Sequence, residues 1–275
     1  MIGLGSFSYR WSCGFKDRVP EKPLGLLDLL GRTERLGLKL LQVADNIPLH
    51  KRDVGEVREF ISATKEMNIE IELGLAGISD STLLPKYLDY AAQLDCRLLR
   101  ASLDASDISI GEEKLCSYIK SFEDSLSGVG AKLALENHFA LPSRELVSLV
   151  QNLNSEQFGI CLDVANSICA GEWPIETIRL LSPYTINLHL KDCRFAIDPY
   201  GVGFSIVGTP LGTGIIDVPT VLDFVGPNER GINIILEQWL PWNDDQNSLY
   251  AQEDEWALLS VKAARRFITA PAFNA

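Results

Sequence analysis

Four polar residues interrupt apolar, β-type runs in the second half of the chain: Glu136 in LALENH, Asp163 in GICLDVAN, His189 in TINLHLKD and Glu237 in NIILEQW. Each lies toward the C-terminal end of a run rich in Leu, Ile and Val. Carboxylates and imidazoles are not buried in strands unless paired or coordinated, because an uncompensated charge is costly to desolvate. A Glu, Asp, His, Glu set delivered by successive strands is what a divalent metal site needs. Three carboxylates and one imidazole are hard-to-borderline donors, suited to Mn²⁺, Mg²⁺ or Co²⁺ rather than to a thiolate-seeking metal. The competing reading is four unrelated strand-end residues satisfied by their own loops; their ordered recurrence weighs against it.

Other residues around these four could meet a substrate. His138 shares the strand parity of Glu136, as Lys191 does of His189, so both should point inward. Lys191 and Arg194 could bind a substrate carboxylate or phosphate, or pair with Asp192 or Asp198. Arg100 ends the run LLR and either reaches the barrel mouth or pairs with a neighbouring aspartate. Asn166 is a hydroxyl contact or a helix cap, and Asp45 and Asn46 contact substrate or make a plain turn. Trp11, Phe204, Trp239 and Trp242 are candidates for walls of the pocket. Gly208, Gly212 and Gly214 in the stretch around PLGTG read as turn glycines.

The elements that must position these residues alternate regularly. Strands are expected over 2–9, 39–44, 69–75, 97–103, 132–138, 158–163, 185–191 and 233–239. Helices are expected over 24–36, 54–67, 81–94, 112–127, 144–153, 174–181 and 218–225, with a long last helix over 248–268. Leu26, Leu27, Leu30 and Leu36 follow helical spacing, whereas the strand runs are short and nearly continuous. Eight β–α pairs in one chain of 275 residues predict an α/β protein, a single (β/α)8 TIM barrel over 1–275, with the site at the C-terminal strand ends. The alternative is a doubly wound open sheet, but no GxGxxG follows the first strand. The stretch 192–217 is expected to be a loop over the catalytic face.

The formal charge of -12 argues against a nucleic-acid partner, which would want a basic face. No run of eighteen or more apolar residues is present, so no membrane span is expected. MIGLGSFSYRW lacks a charged segment followed by a long apolar one, which reads as no secretory signal. The 6 cysteines show no CxxC spacing and read as reduced thiols of a cytoplasmic protein.

Taken with their flanks, the motifs ENH at 136–138, LDVAN at 162–166, LHLKD at 188–192, PLGTGIID at 210–217 and LEQW at 236–239 resemble the xylose isomerase-like TIM-barrel superfamily of sugar phosphate isomerases and epimerases. That resemblance implies that Glu136, Asp163, His189 and Glu237 ligate the metal and that Glu136 and Glu237 double as the acid–base pair. It also implies His138, Asn166, Lys191, Arg194 and Arg100 as substrate-binding residues. Two departures stand out. Asn166 occupies a position where many epimerases carry histidine, and the chain's 3 histidines cannot build the trinuclear zinc site of the related apurinic endonucleases.

The chemistry expected is that of a divalent-metal-dependent isomerase or epimerase acting on a small ketose or sugar-acid derivative through a metal-stabilised enediolate. The same intermediate forms when CO₂ or a β-hydroxyl leaves, so fold and ligands do not fix the reaction. GSFSYRWSCGF and LQVADNIPLH more loosely resemble the branch that decarboxylates 3-oxo-isoapionate, which makes a decarboxylase or dehydratase of a 3-oxo sugar acid the alternative. The expected partner is a small-molecule sugar or sugar acid. The helical outer layer of such barrels also supports a homo-oligomer.

Overall fold

A computed structural model describes residues 1–269. The barrel strands are β1 (Ile2–Gly5), β2 (Leu40–Val43), β3 (Glu70–Ala76), β4 (Leu98–Ser102), β5 (Lys132–Glu136), β6 (Phe158–Asp163) and β7 (Thr185–Leu190). Two further strands, β8 (Asp192–Ile197) and β9 (Phe204–Thr209), precede the last barrel strand, β10 (Asn233–Leu236). All barrel neighbours are parallel, and β10 closes the ring by pairing with both β7 and β1. The expected (β/α)8 barrel is therefore the observed fold.

Strand alternation sorts the side chains. Leu133, Leu135, Leu162, Leu188 and Leu190 belong to the main apolar core with the helices. Their alternates include Ala134 and Cys161, which join a small separate cluster, and the buried polar residues Glu136, Asp163, Asn187 and His189. The register sets Glu136 opposite Cys161, and Asp163 opposite His189. Polar residues also occupy the barrel interior around Glu72. Its carboxylate accepts hydrogen bonds from Gln42 (3.0 Å), Asn187 (3.0 Å) and Asn233 (2.7 Å). Burial pushes Glu72 above the usual carboxylate range in spite of those bonds.

Three expectations change. The first strand ends at Gly5, and SFSY forms a short 3-10 turn pinned by Ser6, whose hydroxyl bonds Asn46 and the Ala44 amide. The helix expected over 112–127 is broken into Glu112–Lys120 and Glu123–Val129. The stretch 192–217 is not simply a loop, because β8 and β9 form an antiparallel hairpin. Asp192 anchors that hairpin: its carboxylate accepts from the amides of Cys193, Gly212, Gly214 and Ile216. A Cβ at Gly214 would collide with Asp192 and the Cys193 carbonyl, so only glycine lets the chain fold over that carboxylate. No helix among the described residues is long and apolar enough to cross a membrane.

Candidate active site

The C-terminal strand ends open onto a cavity of about 580 Å³. Glu136, His138, Asn166, Lys191, Glu237 and Arg100 all line it. Asp163 and His189 lie beneath, fully enclosed. Glu237 follows β10, its amide bonded to the Leu190 carbonyl at 3.2 Å. Its side chain has room because Gly5 faces it; a Cβ there would come within 2.9 Å of the Glu237 Cγ.

Ligating atoms of Asp163, His189 and Glu237 lie within 4.8 Å of one another, as do those of Glu136, Cys161 and His189. His189 Nδ1 is 3.2 Å from Glu136 Oε1 and 3.5 Å from Glu237 Oε1. Local bonds orient the aspartate: Asp163 Oδ1 accepts from the amides of Ala165 and Asn166, each at 2.9 Å. That leaves Oδ2 facing the Lys191 ammonium at 2.6 Å. Lys191 also donates to Glu237 Oε2 at 2.8 Å, and Arg100 joins Glu136 to Asp45, the latter at 2.7 Å.

Four carboxylates (Asp45, Glu136, Asp163 and Glu237) thus share the two cations Arg100 and Lys191, a deficit of two positive charges when His189 is neutral, as a metal ligand must be; without an added ion the same carboxylates hold His189 well above its ordinary pKa. Burial alone would neutralise these groups, but their partners oppose it. Burial raises Glu136, yet the Arg100 guanidinium and then His189 outweigh it and hold the carboxyl well below the usual range. Burial likewise works against ionised Glu237, and Lys191 and His189 overcome it. Asp163 is pushed up by its burial despite Lys191, with Glu136 and Glu237 adding to the rise. Desolvation lowers Lys191, but Asp163 and Glu237 raise it further and keep it an ammonium. His138, half-buried against Phe139, is lowered by desolvation.

A divalent cation fits this arrangement. His189 Nε2 is enclosed without a hydrogen-bond partner among the described residues, and Nδ1 meets only the carboxylates of Glu136 and Glu237; enclosed polar atoms left in this way are costly unless coordinated. The deficit of two charges equals what one divalent ion carries. Carboxylate and imidazole donors suit Mg²⁺, Mn²⁺ or Co²⁺.

Some sequence-based candidates lie elsewhere. Arg194 is exposed on β8 and lines a separate cavity with Trp242 and Trp256, because strand alternation in the hairpin points it away from the barrel mouth. Phe204 is exposed on β9, and Trp11 is packed against Trp242 at 5.1 Å, so of the four aromatics only Trp239 lines the main cavity. Phe7, Phe15 and Phe139 supply its other aromatic walls. Asp45 is a cavity residue through its Arg100 pair, while Asn46 is buried as a partner of Ser6. Sequence reasoning missed Arg10, which lines the cavity from the turn after β1. An arginine within the aromatic run SFSYRW carries no spacing signal.

A profile of the xylose isomerase-like TIM barrel family matches residues 82–258, and the chain belongs to that family. It is 31% identical over 260 residues to a 3-oxo-isoapionate decarboxylase of Pectobacterium atrosepticum, covering 94% of this chain and 93% of the relative. Among solved structures, a D-psicose 3-epimerase with D-tagatose from Clostridium cellulolyticum superposes with a TM-score of 0.72 at 14% identity, covering 98% of this chain and 99% of that one. A xylose isomerase-like TIM barrel protein from Mycobacterium smegmatis in complex with magnesium gives 0.67 at 15% identity, covering 96% and 97%. At those identities the structural likeness bears on the fold.

Proposed function

We propose that the protein is a divalent-metal-dependent decarboxylase of a 3-oxo sugar acid, with Mn²⁺, Mg²⁺ or Co²⁺ held by Glu136, Asp163, His189 and Glu237. The observation that carries the reading is the 31% identity to a 3-oxo-isoapionate decarboxylase across nearly the whole of both chains. The cavity supports it: about 580 Å³ accommodates a small sugar acid, and Lys191 and Arg100 reach it as cations. When bound, the metal supplies Lewis-acid polarisation of the ketone and offsets the charge that develops on its oxygen.

The protein groups do the rest. The bond between the carboxyl carbon and the neighbouring carbon breaks, CO₂ leaves, and the electron pair passes through the new C=C bond onto the ketone oxygen. The carbon that lost CO₂ then takes a proton that originates on the Lys191 ammonium and is relayed across its 2.8 Å bond by the ionised Glu237, and Lys191 regains a proton from solvent through the open cavity. Asn166 and His138 line the cavity on the β5 and β6 side, which supports a role in holding substrate hydroxyls. The free state of all 6 cysteines supports a reducing, cytoplasmic location.

A second reading, an isomerase or epimerase of a ketose, is favoured by Glu136 and Glu237 both facing the cavity, held ionised by Arg100 and Lys191 as bases require. Incubating a carboxyl-labelled 3-oxo sugar acid with Mn²⁺-loaded protein in D₂O separates the two. The decarboxylase yields one labelled CO₂ and one solvent deuteron per product. Exchange of deuterium into recovered ketose without CO₂ would establish the second reading instead.

A further inference from the structure

The cations around the cavity are not equivalent. Arg100 is committed to Asp45 and Glu136, and Lys191 to Asp163 and Glu237. Lys16 is exposed at the rim beside Phe15. Arg10 differs from all three. It lines the cavity but forms no ion pair among the described residues; Nη2 donates to the Leu240 carbonyl at 2.7 Å, and Nε is enclosed with no acceptor. Desolvation lowers its pKa, with the charges of Glu253 and Glu237 working the other way. A partly buried guanidinium with an unpartnered donor in the wall of a cavity is short of an anion.

The scaffold holds this group in place before any ligand arrives. The guanidinium lies over the Trp11 ring, 4.2 Å from its centroid, and the Trp11 indole donates to the same Leu240 carbonyl at 2.8 Å. The next turn is tied to the last helix, Gln246–Thr269, through Glu253, which accepts from the amides of Trp11 (2.8 Å) and Ser12 (3.0 Å) and from the Ser12 hydroxyl. Gln238 donates to the Ser8 carbonyl at 2.6 Å and to the Glu253 carbonyl at 3.1 Å. A donor fixed in this way loses little freedom on binding.

We infer that Arg10 recognises the carboxylate of an acidic substrate. The planar fork of donors matches a carboxylate, and Arg10 can pair with an incoming anion without taking a partner from the carboxylates below. The inference rests on the decarboxylase reading, which supplies a substrate with a carboxylate. As the C–C bond breaks, negative charge moves away from that group, so Arg10 stabilises bound substrate more than the transition state. Loss of Arg10 therefore raises KM without lowering kcat.

The test is calorimetric binding of erythronate, erythrulose and glycerol 3-phosphate to Mn²⁺-loaded parent, Arg10→Gln and Arg10→Lys proteins, with metal content measured in each. The expected result is a loss of erythronate affinity of roughly 10- to 100-fold in Arg10→Gln. Arg10→Lys recovers part of it, and erythrulose affinity and metal content stay unchanged. Equal loss for acid and neutral sugar would make Arg10 a structural residue and overturn the inference. So would an Arg10-dependent preference for glycerol 3-phosphate, which would assign the position to a phosphate monoester. Arg10-dependent erythronate binding in a protein that releases no CO₂ from 3-oxo acids would leave the inference standing and sink the reaction.

Discussion

Glu253 offers a quantitative check on how the last helix holds the cavity wall. Its carboxylate is buried, accepts from Trp11 and Ser12, and has no ion-pair partner among the described residues; burial pushes it from 4.5 up to about 7. Because the folded pKa is the higher one, the folded state binds this proton more tightly than the unfolded chain. Stability from that proton is complete below pH 4.5 and is lost as pH rises through 7. A rise of about 2.5 units at about 1.36 kcal/mol each amounts to about 3 kcal/mol. Glu253→Gln stays neutral at every pH but turns an amide donor toward one of the backbone amides, a fixed cost of about 1–3 kcal/mol. Urea unfolding of parent and variant across pH 4–8 should therefore show the parent ahead at low pH and the variant gaining about 3 kcal/mol on it by pH 8. A stability difference that stays constant with pH would refute the reasoning.

Four further substitutions, one of them a control, probe the site and its scaffold. Arg100→Met strips the cation from Glu136 and Asp45 and should destabilise the fold by about 3–5 kcal/mol by urea titration, since it leaves the buried Glu136 carboxylate without its cation. Gly214→Ala drives a methyl into Asp192 and should cost about 1–3 kcal/mol in the same assay, while Gly111→Ala, which has open space, costs only the strain of its positive φ. Glu237→Gln keeps a neutral oxygen ligand but ends proton delivery to the carbon that lost CO₂, so formation of the protonated product should fall by at least about 100-fold with metal still bound.

What the sequence made legible tracks how local the signal was. The helices Val54–Met67, Pro174–Leu181 and Val218–Val225 match expectation because their ends are written in single residues: Asp53 caps the first through the Gly55 amide, Pro174 opens the second, and Asp217 and Gly226 bracket the third. Glu136, Asp163 and His189 stood out because polar residues within apolar strands violate a burial rule that any reader of the chain can apply. The β8–β9 hairpin did not stand out, since Ile197, Val202 and Phe204 are exposed and so blur the alternation that marks a half-buried strand. Arg10 was illegible for a different reason. Its placement depends on Leu240 and Glu253, more than two hundred residues away along the chain.

If one divalent ion meets the charge deficit under the cavity, the chain takes up that ion and holds it through His189. Dialysing the purified protein against Mn²⁺, removing free metal and measuring bound metal by mass spectrometry tests it directly, with His189→Leu as the comparison. One ion per chain in the parent and a large loss in the variant is the predicted result. A parent that retains no metal, or a variant that retains as much, would contradict the account.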